Sequence, residues 1–294
     1  MLGKNSHASD CQSDRVTLQM LGTGGPELIT PSASTSYLIW LDNKARIVID
    51  AGPGSAHNFK LSNARFADLS IFLFSHFHVD HSADFAAYIK GAFFTQRNIE
   101  LQVYGPSGNL FVPSAEQFSQ RLFSADNGLY PYLAEFIDPD KTSTYKIKTR
   151  TIEWSYKNLE VQTIFNDQDF VIKAAPVHHG PFPALAWRVE VAGCVISFSG
   201  DMSGRLGTLA ELAEGSDLLI AHNAITEDVT GRAQLLHMKP SYIGKAAAQA
   251  KVKKLLLTHR MTHSRTHTIE TLELIKKNYT GAITIPRDLD SFHP

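Results

Sequence analysis

The stretch His76-Phe77-His78-Val79-Asp80-His81 decides how this chain is read. It follows the apolar run Ile71 to Phe74, closed by Ser75, so a buried strand ends and at once presents four side chains of ligand type. Loops at strand ends project side chains into shared clefts. Imidazole and carboxylate are the donors that zinc and similar divalent ions take when a site must stay open for hydrolysis. Alternation along an extended segment points His76 and His78 the same way, so one ion can use that pair. Asp80 and His81, at the next bend, then face a second ion. A lone His-x-His is as easily a hydrogen-bonded loop without metal; His-x-His-x-Asp-His behind a buried strand is not.

Three more strand ends deliver ligand-type residues. Phe170 to Ala175 leads through Pro176 and Val177 to His178 and His179; Cys194 to Phe198 leads through Ser199 and Gly200 to Asp201; Leu255 to Leu257 leads to Thr258 and His259. Taken singly, these are a solvated histidine pair, an aspartate capping a helix near Gly204 and a loop histidine. Taken with the first run they fit one cleft.

Around these points the apolar periodicity predicts strands at Val16 to Leu21, Ser36 to Leu41, Arg46 to Ile49, Leu69 to Phe74 and Leu101 to Tyr104, with a helix after His81 turning Phe85, Tyr88 and Ile89 inward. Beyond Gly105-Pro106 the pattern loosens, and residues 106–148 read as a cap or insertion. Phe118, Phe123, Tyr130, Tyr132 and Phe136 in it would wall the cleft, or else form local core or a homodimer surface. Strands resume at Leu159 to Phe165, Phe170 to Ala175, Leu185 to Val191 and Cys194 to Phe198, and then alternate with helices at Leu206 to Ala213, Ser241 to Ala250 and Thr268 to Lys277. Each half is strands first and helices after. The expectation is one α+β domain over 1–294, two sheets face to face with helices outside.

Lys plus Arg number 28 and Asp plus Glu 29, for a net charge of -1. With no long basic run, nucleic acid is not expected as a partner. No apolar run approaches the roughly 18 residues of a membrane span, and the polar start from Met1 to Arg15 lacks the apolar core of a signal peptide. The chain as given reads as cytoplasmic, or as periplasmic if a leader has been removed. Cys11 and Cys194 are too few for a disulfide framework but are compatible with a single bridge.

With Leu21-Gly22-Thr23-Gly24-Gly25-Pro26, Ile49-Asp50-Ala51-Gly52, the His76 to His81 run, Phe198-Ser199-Gly200-Asp201 and Leu257-Thr258-His259, the chain resembles the metallo-β-lactamase superfamily, in its ribonuclease Z-like branch. The resemblance implies the αββα four-layer sandwich. It implies that His76, His78 and His178 hold one metal, that Asp80, His81 and His259 hold the other, and that Asp201 bridges them. His178 is preferred over His179 because similar families place the ligand before a proline and an aromatic-Arg pair, here Pro183 and Trp187-Arg188; His179 would then line the cleft. Asp50 matches an aspartate that orients the metal loop. His222, in Ala221-His222-Asn223-Ala224, and His237, ahead of the helix from Ser241, match histidines that face the substrate and neutralise or protonate an oxyanion or leaving group, although Asn223 replaces the glutamate of that branch.

The implied function is two-metal hydrolysis. Two ions about 3.5 to 4 Å apart share a bridging hydroxide, with Asp80 as ligand and proton acceptor. Zinc is favoured, with manganese or iron also compatible; diiron relatives resemble this motif with glutamate at position 78, and His78 argues against a redox centre. Ribonuclease Z carries an arm for transfer RNA between its third ligand histidine and the bridging aspartate, whereas here His178 to Asp201 reads as two strands joined at Ala192-Gly193. The expected substrate is therefore a small phosphodiester. The alternatives are a sulfate ester, carboxylic ester or lactone, an RNA precursor, or no reaction at all in a metal-binding module.

Overall fold

The computed structural model describes residues 10–294. The first sheet takes strands β1 (Val16–Gly22), β2 (Ser36–Leu41), β3 (Lys44–Ile49), β4 (Ile71–Leu73), β5 (Leu101–Pro106) and β6 (Ile147–Ile152). The second takes β7 (Gln162–Asn166), β8 (Phe170–His179), β9 (Phe182–Val191), β10 (Cys194–Phe198), β11 (Leu218–His222), β12 (Lys254–Thr258) and β13 (Ala282–Thr284). The last strand, β14 (Ser291–Phe292), returns to pair with β1, so each sheet has seven strands, ordered 14-1-2-3-4-5-6 and 13-12-11-10-9-8-7.

Three apolar layers follow from strand alternation. One face of each sheet meets the other in a core that includes Leu18, Ile39, Ile47, Leu73, Ile172, Trp187, Ile196 and Ile220. The outer face of the first sheet, with Phe72 and Phe74, is covered by α1 (Ser55–Leu61) and, beyond the short α2 (Val79–Ser82) that carries Asp80 and His81 into the cleft, by α3 (Phe85–Ala92) and α4 (Ala115–Phe123). Of these, α3 buries Phe85, Tyr88 and Ile89 as the sequence predicts. The outer face of the second is covered chiefly by α5 (Thr208–Leu212), α7 (Pro240–Gln249) and α9 (Thr268–Lys276), with the short α6 (Arg232–Leu236) and α8 (Thr262–Thr266) between them. Helix, sheet, sheet, helix is the four-layer order expected. Among the described residues no helix is long and apolar enough to cross a membrane.

Two expectations are refined. Residues 106–148 contribute α4 and the first two residues of β6 to the regular layers, and of their aromatics Phe123 and Phe136 are buried as local core, one of the alternatives, while Tyr132 is exposed. The helix had a legible start in Ser114 and Gln117, which form a reciprocal capping box. The strand expected to stop at Ala175 runs on to His179, because β8 stays paired with β9 as far as His179 opposite Phe182. Pro176 is tolerated there since β7 pairs no further than Ala174, so no neighbour on that side needs its missing N–H.

Cys11 and Cys194 form a disulfide that ties the start of the described chain to β10.

Candidate metal centre

The first-sheet side of the cleft is the turn after β4. Asp50, at the end of β3, has a left-handed backbone (φ 57°) and is buried. Its Oδ1 accepts from Ser75 N at 2.7 Å, and its Oδ2 accepts from Ser75 Oγ at 2.7 Å and from His81 Nδ1 at 2.8 Å. That places the proton of His81 on Nδ1 and leaves Nε2 as a free donor atom, the carboxylate–histidine arrangement that orients metal ligands. Gly52 is required beside it, since a Cβ there would lie 2.2 Å from Asp80 O.

The second sheet contributes Asp201 after β10, His222 at the end of β11, His259 after β12 and His179 at the tip of β8. All four are buried. Ligand-type atoms of His81, Asp201, His222 and His259 converge within 4.8 Å of one another, as do those of His76, His78 and His179. Asp80 belongs beside the first group, its Oδ2 lying 3.2 Å from His259 Nε2 and 3.5 Å from His81 Nε2. Asp201 lies between the groups. Its Oδ2 is 4.0 Å from His76 Nε2, 3.9 Å from His179 Nε2 and 3.7 Å from His81 Nε2, and its Oδ1 is 3.4 Å from His259 Nε2.

Most of the expected site residues therefore meet, and one does not. His178 is turned away, its Nδ1 2.7 Å from Ser203 Oγ, while His179 donates from Nδ1 to Leu236 O at 2.8 Å and aims Nε2 at His78. Neighbouring residues of a strand face opposite ways, so only one of the pair can enter the cleft. The preference for His178 rests on its spacing to Pro183 and Trp187-Arg188, which does not say which way a side chain faces; as strand residues the two are sorted by pairing with β9.

His222 also departs from expectation. Both ring nitrogens are occupied: Nδ1 is 2.7 Å from Asp201 Oδ1 and Nε2 accepts from Tyr37 Oη at 2.9 Å, with Tyr37 Oη also 2.7 Å from Thr258 Oγ1. It fixes the aspartate from behind and does not face substrate. No glutamate is needed at Asn223 for this, since Asp201 itself orients the ring. Tyr37, Thr258 and Ser75 are the residues that sequence reasoning missed, because a hydroxyl inside an apolar strand or beside a histidine carries no signal of its own. His237 does reach the cleft. Its Nδ1 is buried without a partner, 3.7 Å from Asp201 Oδ2, and its ring centroid is 5.6 Å from that of His259.

The donor set fits divalent cations. His76 Nε2 and His81 Nε2 are buried with no hydrogen-bond partner, which is costly unless an ion takes the lone pairs. Burial alone would raise the Asp201 carboxyl, yet His259, His237 and His81 hold it well below the ordinary range. Asp80, likewise opposed by burial, is held low by His81 and His259. Two ionised carboxylates in a closed, imidazole-lined cleft create the negative potential that a cation neutralises.

This fold and this cluster define a metal-dependent hydrolase. A profile described as a beta-lactamase superfamily domain matches residues 45–260, and the chain belongs to that superfamily. It is 25% identical over 256 residues to a Ribonuclease Z of Mycolicibacterium paratuberculosis, covering 83% of this chain and 85% of that one. Among solved structures it superposes on the metallo-beta-lactamase fold protein YhfI from Bacillus subtilis with a TM-score of 0.70 (19% identity, 95% and 99% of the two chains). The short form of human tRNase Z gives a TM-score of 0.71 (17% identity, 94% and 98%). The named ribonuclease relatives run against the expectation that nucleic acid is not a partner.

Proposed function

We propose that this hydrolase cleaves phosphodiesters with two divalent ions, zinc favoured, one held by His76, His78 and His179 and the other by Asp80, His81 and His259. The observation that carries the reading is the position of Asp201, whose carboxylate lies within 4.0 Å of nitrogens from both groups. Bound ions would supply Lewis acidity and lower the pKa of water at the site.

The chain's own groups do the rest. Asp50 and His222 hold His81 and Asp201 in place. Asp80, held ionised by His81 and His259, turns Oδ2 toward their Nε2 atoms and would share an ion with them; its low proton affinity does not suit it to accept a proton. Burial keeps His237 below its usual pKa, against the pull of Asp201, so near neutral pH it is an uncharged imidazole whose N–H donates to an oxyanion.

A small substrate is favoured by the β8–β9 hairpin, which turns directly through Gly180 and Pro181, with Asn109 Nδ2 donating to Pro181 O at 2.6 Å. Phe182 lies 4.3 Å from His78, centroid to centroid, and 6.2 Å from the exposed Phe111, an apolar wall for an aryl or base moiety. The similarity to Ribonuclease Z supports a second reading, an RNA phosphodiester. The test is turnover of a bis-aryl phosphate and of a transfer-RNA precursor by zinc- or manganese-loaded protein. The first reading expects turnover of the bis-aryl ester alone, the second expects salt-sensitive RNA cleavage. Activity confined to sulfate esters, carboxylic esters or lactones overturns both.

A further inference from the structure

Outside the metal cluster, a cavity of about 270 Å³ is lined by Thr23, Ser32, Leu257, Arg260, Arg265 and Arg287. None of these side chains belongs to either histidine group. Arg260 is only 7% exposed, and its Nη2 donates to Ser264 O and Thr268 Oγ1 while its Nε is buried with no partner. Arg265 donates from Nε to the backbone Arg260 O at 2.9 Å and from Nη2 to Ser32 Oγ at 2.8 Å, which holds its guanidinium at the cavity, where burial and this second charge press Arg260 below its usual range. Arg287 is exposed at the same cavity.

What these guanidiniums lack is a paired carboxylate, the nearby Asp290 accepting from the backbone N of Arg287 at 2.8 Å. Among the described residues, the arginines paired with carboxylates are Arg15, Arg46, Arg65 and Arg188, and none of the three in the cavity is among them. Asp288, next to Arg287, is turned instead to Thr23, Ala33 and Asn58. A buried guanidinium without a counter-charge beside a second one is unfavourable unless a ligand supplies the charge. Planar guanidinium forks match the oxygens of a tetrahedral dianion, two at a time. The Ser32 hydroxyl, which accepts from Arg265, keeps its own proton to donate.

We propose that the Arg260–Arg265–Arg287 cavity binds a small phosphate-type oxyanion, either inorganic phosphate or the phosphate of a small monoester. No side chain lining the site belongs to either histidine group, although Arg260 directly follows His259, and the proposal does not depend on which ester the enzyme hydrolyses.

Thermal unfolding and titration calorimetry of the metal-loaded full chain test this with inorganic phosphate, against sodium chloride of equal ionic strength. Phosphate at about ten times its Kd should raise Tm by roughly 2 °C over chloride. Since phosphate can also meet the metals, the deciding comparison is with Arg265→Gln/Arg287→Gln, which should bind it at least about tenfold more weakly while its inhibition of ester hydrolysis stays as in the wild type. Arg287→Gln alone, at an exposed position, guards against misfolding and should weaken binding by roughly threefold. Competition by phenyl phosphate for the same site assigns it to monoesters; binding of inorganic phosphate without such competition assigns it to the free anion. Equal phosphate affinity in wild type and both variants, or equal Tm in phosphate and chloride, overturns the proposal.

Discussion

The group formed by His81, Asp201, His222 and His259 is closed off from solvent, whereas the group formed by His76, His78 and His179 opens through the partly exposed His78. The closed group is braced from behind on both sheets, by Asp50, Ser75 and Tyr37 on one and by Thr258, bonded to Tyr37, on the other. The open group has lighter support: Ser75 Oγ sits 3.0 Å from His76 Nδ1, Leu236 O accepts from His179, and His78 has only His179 at 3.3 Å. Braced ligands hold an ion in one geometry, and lightly held ones tolerate an exchanging ligand. Under the proposed assignment, substrate would enter on the His78 side, beside Phe182, with Asp201 between the two groups.

The largest break in this comparison is Asp201→Asn, which removes charge from both groups at once. It should lower ester hydrolysis by about 10³-fold or more and reduce bound metal, measured by turnover and elemental analysis, with circular dichroism confirming the fold. Next is the contrast at the tip of β8. His179→Ala should act on the open group alone, costing roughly 10²-fold in activity and the more labile ion, while His178→Ala, at a half-buried position outside the cleft, should stay within about threefold. The reverse order would restore the ligand assignment expected from the family pattern. The smallest effect sharpens the comparison from the closed side. A chelator should strip wild-type protein in two phases, the open group first; Tyr37→Phe, by loosening His222, should speed the slow phase by roughly tenfold and bring the phases together. A single phase in the wild type would dissolve the distinction.

Much of this was legible because ligands cluster where strands end. His76, His78, Asp80, His81, Asp201 and His259 each follow an apolar run, and all of them meet in the cleft. The paired sheets and the inward face of α3 were legible for the same reason, since apolar periodicity records which side of an element is covered. Less legible was residues 106–148, where short elements with mixed polarity leave little periodicity to read. There the Ser114–Gln117 cap was the one signal of a helix start.

The sequence alone determined the chemistry of the site: which residue types lie at which strand ends, and hence that divalent metals and hydrolysis follow. Only the tertiary structure decided which of two neighbouring side chains faces the cleft and which nitrogen of a histidine is free. His178 and His179 are chemically alike, and what separates them is how far β9 carries the pairing of β8 and how the hairpin tip then meets the cleft. His222 looked like a group for the substrate until Tyr37, from the opposite sheet, was seen to occupy its second nitrogen. Such choices rest on contacts between segments far apart in sequence, and local pattern carries no record of them.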